Sequence, residues 1–562
     1  MKIYLYLFLN IYLAFSLTLE KSKLGQLNAN EDEMELLYEG NLPKNNIVEI
    51  DEDFIITKIS WTKKDNYKYN YLLGVFEVSN EDTFMEGIPI GIIREKEELK
   101  EENDITISSK ISLKYMRYVP PNKNNTDISP IRIYGYKKSL SEDEKTYFQA
   151  TNLPLVLIHT EKNAVPKDGE DINCTIKIIN DGKIETSENA GIRIRGKSTS
   201  FASQKKPYRI KFASKQKILN LKGKEKKWTL IANHFDRSLI RNNLAFQISR
   251  LMEFPFTPRC LPVDVILNGD FQGNYYICDK IEVGKNRINI NKMEETDTEL
   301  PNVSGGYLLQ IDSGGWGRGR GQPEKGTFKT QKGLTGKILY PEEDDIVPEQ
   351  ESYINSKLNQ LEDEIYNGIL DSVDIDSYSK YFIIEEFCGD PDHVWSSYYF
   401  TKDRDDDKFH FGPAWDFDLA FDNDKRLYPT SEKTEFCFNY CDSAGTFRQL
   451  VKALIGNKDV AESIQKTWTK LCETSLNEKI LIDYIEEEKE KLEESSELNF
   501  IKWDHFVSQD TNPWGGRGGN GGFGFGRKGE NFEVSVEVVK DYVINRFKSL
   551  TRLIDNAALS AK

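Results

Sequence analysis

Asp416 and Asp418 stand two residues apart in Trp415-Asp416-Phe417-Asp418-Leu419-Ala420-Phe421-Asp422, shortly after Phe409, Phe411, Gly412 and Pro413. In an extended strand, side chains at i and i+2 leave the same face, so the two carboxylates are expected to point together while Phe417 and Leu419 face the core. Like charges in an apolar setting resist ionisation unless a cation lies between them. A hard divalent ion carrying substrate phosphates meets that need, and phosphate chemistry is the first reading. Alone the pair is weakly specific. Asp-x-Asp recurs by chance in acidic chains, and nucleotide-sugar glycosyltransferases and phosphatases carry it too.

Phosphoryl transfer to a hydroxyl needs further parts: cations on the phosphates, a carboxylate near the attacking oxygen, and a cover against water. Arg193, Arg195 and Lys197 alternate along one expected strand, and Lys205, Lys206, Arg209 and Lys211 follow at once, with Arg209 and Lys211 on one face of the next. This basic hairpin suits phosphate; the bland alternative is a cationic edge strand that blunts aggregation. Glu385-Glu386-Phe387-Cys388-Gly389-Asp390-Pro391-Asp392-His393 ends a helix in an acidic loop before Asp416. A loop carboxylate, then a hairpin ending in Asp-x-Asp, resembles a kinase catalytic segment in layout only.

The chain of 562 residues exceeds one core, and two or three domains are expected. Its formal charge of −16, without a basic arm, argues against a nucleic-acid partner. Lys2 followed by the apolar run 3–17 reads as an export signal over 1–17, too short to span a membrane comfortably. After its removal no membrane span is expected, and the chain reads as secreted or held at a cell surface. Seven cysteines leave at least one thiol without an internal partner; Cys437 and Cys441 are the nearest pair in sequence. Sequons at Asn124, Asn173 and Asn302 are compatible with a secreted glycoprotein.

The fold class is expected to be α+β. Short β runs between turn residues over 25–147 predict an antiparallel β-sandwich. Gly74 to Asn80, and Tyr115 to Pro120 leading into 131–136, partly resemble discoidin-like sandwiches, which would imply a glycan or surface ligand. Strands dominate to about 290, with one helix over 237–252. From about 349 helices are expected over 350–369, 375–387, 446–455, 460–472 and 476–492. Phe409 to Phe421 is expected to pair with a strand at 397–400. Glu487 to Glu497 reads as a solvated helix end, and 313–321 and 514–529 as Gly-rich loops.

Arg193-Ile194-Arg195-Gly196-Lys197-Ser198-Thr199 with Lys206-Pro207-Tyr208-Arg209-Ile210-Lys211-Phe212 resembles the opening signature of the CotH kinase family, the spore-coat-protein-H-like atypical kinases. Trp228 to Asn233 with Asp236-Arg237-Ser238 and Arg241-Asn242, Asn268 to Tyr276, Ile281 to Arg287 and Gly412 to Asp418 match in the same order. The likeness covers roughly 150–555. It implies a β-rich N-lobe and a helical C-lobe, and a secreted kinase using ATP with Mg²⁺ or Mn²⁺ to phosphorylate Ser or Thr of proteins. The family's catalytic carboxylate falls at Asp392 and its metal-binding one at Asp416, with Asp418 nearby. Lys211, Lys206, Arg195 and Arg193 are the candidates for the nucleotide phosphates, and Glu282 for orienting a lysine or metal. Gln310 departs from the family's Glu after Gly-Gly-Tyr-Leu-Leu, and Gly389-Asp390-Pro391-Asp392 from its usual Gly-Asn-x-Asp. These departures keep two rivals open: a surface adhesin on a catalytically degenerate fold and, third, an Asp-x-Asp glycosyltransferase.

Overall fold

A computed structural model describes residues 34–63, 71–94, 102–121, 128–138, 145–196, 199–200, 203–312, 325–392, 394–440, 445–507 and 531–561. The expected export signal, Lys197, Asn124, the two Gly-rich stretches and Cys441, with its expected Cys437 pairing, lie outside those residues. The chain is a mixed α+β protein. Its described residues form two compact units, one comprising those up to Val165 with Cys174–Glu188 and Val265–Gln272, the other comprising Pro166–Asn173, Asn189–Asp264 and the residues from Gly273 onward.

Eight strands open the first unit: β1 (Glu35–Gly40), β2 (Ile47–Glu49), β3 (Phe54–Lys63), β4 (Val75–Ser79), β5 (Ile88–Ile92), β6 (Glu102–Thr106), β7 (Tyr115–Val119) and β8 (Ile128–Lys137). They build two four-stranded antiparallel sheets, ordered β1-β8-β3-β6 and β2-β7-β4-β5. Trp61 of β3 meets Phe76 of β4 at 6.2 Å between ring centroids, so the sheets share one core. Seven further strands are β9 (Leu155–Thr160), β10 (Ile172–Asn180), β11 (Lys183–Ile194), β12 (Tyr208–Gln216), β13 (Glu225–Ile231), β14 (Cys260–Leu267) and β15 (Asp270–Asp279). They close a barrel in the order β10-β11-β12-β13-β15-β14-β9. Only Asn268 and Gly269, at φ 52° and 78°, join β14 to β15; that two-residue turn demands left-handed backbone at both positions. Cys260 and Cys278 on these neighbouring strands form a disulfide.

The second unit adds a sheet ordered β17-β18-β16-β19-β20, from β16 (Tyr307–Asp312), β17 (Thr327–Lys329), β18 (Thr335–Tyr340), β19 (Ser396–Lys402) and β20 (Phe409–Phe411). Seven helices are described: α1 (Arg241–Leu251), α2 (Pro348–Tyr366), α3 (Ile375–Cys388), α4 (Gly445–Gly456), α5 (Lys458–Thr474), α6 (Glu478–Val507) and α7 (Phe532–Ser560). Each predicted helix is present within a few residues of its expected position, except that α6 runs well beyond 492. Glu487 to Glu497 is therefore not a helix end. Leu492, Ser495, Ser496 and Asn499 are buried, and even Glu488 accepts a hydrogen bond from Asn243 Nδ2 at 2.6 Å. Helix α7 was not anticipated, although Val536, Val539, Val543 and Leu550 recur at helical spacing and are buried.

The expected strand over 409–421 stops at Phe411. Gly412 donates to the Tyr399 carbonyl at 2.9 Å, and the chain leaves the sheet at Pro413, a residue poorly suited to a strand interior. Asp416 and Asp418 thus lie on a loop, and Asp416 has φ +77°. The strand geometry expected to align their side chains is absent.

Candidate active site

Two loops carry the acidic residues. Helix α3 ends at Gly389, whose φ of +65° turns the chain while its N–H caps the Glu385 carbonyl. A Cβ there would come within 2.5 Å of Tyr542 Oη, so glycine alone fits this turn. Asp390, buried, accepts the Asp392 N–H at 3.0 Å and folds Asp390-Pro391-Asp392 tightly ahead of β19.

The second loop is held by α1 and its lead-in. The Trp415 ring stacks on Phe246 with 5.7 Å between centroids. Buried Asn242 accepts the Phe417 N–H at 2.8 Å, midway between the two aspartates. Arg241, also buried, donates from Nε to the Ala420 carbonyl at 3.0 Å and pairs through Nη1 with Asp236 at 2.5 Å. Asp416 is exposed at the rim, and Ser397 Oγ donates to its Oδ2 at 2.8 Å.

The carboxyls act on one another. Burial raises Asp392 above the ordinary aspartate range, opposed by the Arg426 guanidinium and reinforced by Asp416 and Asp424. Burial, then Asp416, Asp236 and Asp392, push Asp418 well up. Asp390 is likewise driven well up by burial, then Glu385, Asp392 and Asp416. The acidic side chains of the two loops therefore lie near enough to feel one another's charge. Arg195 joins them: its guanidinium carbon lies 5.7 Å from the Trp415 ring centroid. Tyr399 lies beside both, its hydroxyl pushed up by burial and then Asp416 against Arg195.

The other predicted residues have described contacts of their own. Lys211 is exposed on the outward face of β12, since Tyr208, Ile210 and Phe212 take the inward positions. Lys206 donates to the Ser200 carbonyl at 2.7 Å, and burial lowers its pKa. Arg193 donates to the Gly169 carbonyl at 2.6 Å. Glu282 pairs with Arg287, and with Lys280 at 3.4 Å and Lys227 at 3.8 Å. Gln310 of β16 lies directly across from Tyr399.

Sequence reasoning assigned no individual role to three groups. Lys205, and not its neighbour, is the fully buried lysine; it donates to Asn499 Oδ1 at 2.8 Å and to the Asn274 carbonyl. Burial lowers its pKa well below the usual value. Asp236 with Arg241 anchors the second loop, and Arg426 with Asp424 reaches Asp392. Asp424-Lys425-Arg426, soon after Asp418 in an otherwise turn-rich stretch, was the available signal.

No group of three or more His, Cys, Asp or Glu side chains among the described residues forms a ready-made metal site. Magnesium does not require one, because it keeps waters and takes one or two carboxylates together with phosphate oxygens. Hard oxygen donors, Asp416 exposed at the rim and mutual repulsion among Asp392, Asp416 and Asp418 fit such an ion. Asp416 and Asp418 are the residues that could hold it.

A family profile described as CotH kinase protein matches residues 192–550. No curated protein matches the chain. Among solved structures, CBM62 from Clostridium thermocellum Xyl5A is similar at 19% identity over 15% of this chain and 60% of that one. Less than two thirds of that chain is covered, and the TM-score of 0.14 is too low to bear on fold. No described helix is long and apolar enough to cross a membrane.

Proposed function

The chain belongs to the CotH kinase family, and from that premise we propose that it is a secreted or surface-held protein kinase. It would move the γ-phosphoryl group of ATP to Ser or Thr of protein substrates. The observation that supports this reading is that Asp416, from a separate loop, raises the pKa of Asp392 and Asp392 raises that of Asp418, with Arg195 against the neighbouring Trp415 ring. In kinase terms the barrel would be the N-lobe, and the helices the C-lobe.

When bound, Mg²⁺ or Mn²⁺ neutralises phosphate charge and orients the γ-phosphoryl group for in-line displacement. Asp416 and Asp418 would hold that ion. Arg195, poised over Trp415, draws the phosphate tail toward them. Asp392 accepts the proton of the acceptor hydroxyl as its oxygen bonds to the γ-phosphorus and the bridge to the β-phosphate breaks, releasing ADP. Export is supported by the Cys260–Cys278 disulfide, a bond typical of oxidising compartments. The N-terminal pair of sheets is the candidate for a glycan or surface ligand.

The test is transfer of ³²P from ATP to dephosphorylated casein by the full chain, Asp392→Ala and Asp416→Ala. Labelling by the wild type and a fall of about a thousandfold or more in both variants is expected. Equal labelling in all three discards the assignment. Gln310, uncharged where the family carries Glu, favours a second reading as a surface adhesin that has lost catalysis. Calorimetry separates the two: the kinase binds ATP with Mg²⁺, and the adhesin need bind neither.

A further inference from the structure

Arg426 belongs to neither set of predicted residues, yet it is the one cation described in contact with Asp392. Its geometry is set from behind. Asp424, with a side chain wholly buried, accepts from Arg426 Nε at 2.9 Å and from Nη2 at 3.0 Å, a two-pronged clamp on the guanidinium. The same carboxylate accepts the Arg426 backbone N–H at 2.8 Å, so main chain and side chain are fixed together. From that clamp the guanidinium reaches forward. Nη1 and Nη2 donate to one oxygen of Asp392, Oδ1, at 3.2 and 3.3 Å.

This division matters for the chemistry. A carboxylate offers about four lone-pair sites, two on each oxygen, and two N–H donors on one oxygen fill that oxygen's sites and leave the other's for an incoming proton. Here Oδ1 is occupied, while Oδ2 takes no hydrogen bond from any described residue. The positive charge also opposes the repulsion that Asp416 and Asp424 exert on Asp392. Arg suits this place better than Lys, because only a planar fork can serve two carboxylates at fixed angles.

We propose that Arg426 is a positioning residue for the phosphoryl-transfer step: clamped by Asp424, it pins Oδ1 of Asp392 and leaves Oδ2 to receive the acceptor's proton. The inference rests on the kinase reading above. It predicts that the loss falls on turnover and spares nucleotide binding, since the clamp described runs from Asp424 through Arg426 to the proton acceptor Asp392.

The experiment measures initial rates of ³²P transfer to dephosphorylated casein with ATP varied, for wild type, Arg426→Ala, Arg426→Lys and Asp392→Ala. Arg426→Ala is expected to lower kcat about a hundredfold with KM for ATP within about threefold. Added guanidinium ion should restore at least about tenfold of that loss, without effect on the wild type or Asp392→Ala. Arg426→Lys, which keeps the charge opposite buried Asp424, guards against a folding defect and should fall between the two. An active wild type with Arg426→Ala unchanged in kcat, or impaired only in KM, overturns this inference alone. Misfolded Arg426→Ala with Arg426→Lys at wild-type kcat overturns it as well. A wild type that transfers no phosphate overturns the kinase reading first, and this inference with it.

Discussion

Replacing Asn242 should disable the second acidic loop without touching a carboxylate. Asn242 is buried on α1, and its Oδ1 accepts the Phe417 N–H at 2.8 Å. Removing that acceptor forfeits a hydrogen bond worth about 1 kcal/mol and strands a buried N–H at roughly 1–3 kcal/mol. The bond also holds Asp416 at φ +77°, a left-handed conformation that costs a non-glycine residue about 1 kcal/mol or more. With the tie gone, the loop can relax away from the geometry that aims Asp416 at the site. A shift of about 2 kcal/mol lowers the competent population by roughly thirtyfold. Asn242→Ala should therefore lower kcat for ³²P transfer about ten- to thirtyfold and the calorimetric Tm by a few degrees. Asn242→Leu, which fills similar space without an acceptor, should behave alike and exclude lost volume as the cause. Wild-type kcat in both variants would refute the reasoning, because the loop would then hold its shape without the bond.

Two further outcomes follow from the same packing. His410 lies 3.6 Å from Asp374, the N-cap of α3, and 2.7 Å from Asp406, and these partners raise its pKa to about 9. Its contribution is fully present below the unfolded value near pH 6.5 and is lost as pH rises through about 9. Thermal unfolding should thus show stability declining over that window by on the order of 1 kcal/mol, the pair being partly screened by solvent, and His410→Gln should flatten the decline. The Cys260–Cys278 bond closes a loop with a sequence separation of 18, which constrains the unfolded chain by about 3 kcal/mol. Reductant or Cys260→Ser should lower Tm measured by calorimetry, and an unchanged Tm would show that the bond adds no constraint.

Local pattern was a good guide wherever a structure is maintained by near neighbours. Alternation in Tyr208-Arg209-Ile210-Lys211-Phe212 foretold a strand with one face buried, and that is what β12 presents. Apolar spacing placed α1 to α5 within a few residues, because helix and strand periods are imposed by the backbone itself. The ordered motif blocks also carried the family, and with it Asp392 and Asp416 as residues to watch.

What local pattern could not decide was where those blocks meet. The bond from Phe417 to Asn242 spans 175 positions and that from Arg241 to Ala420 spans 179, distances at which no periodicity operates. Such contacts turned Asp416 and Asp418 from an expected strand pair into a strained loop, and drew Arg195 to the site while Lys211 stayed on the barrel's outer face. They also hid the clamp from Asp424 through Arg426 to Asp392, since a guanidinium's partners depend on which surfaces fold against it. Residue types and their order determined the kind of chemistry this chain is equipped for. Tertiary packing alone determined which carboxylates repel, which cation answers them, and which oxygen stays open.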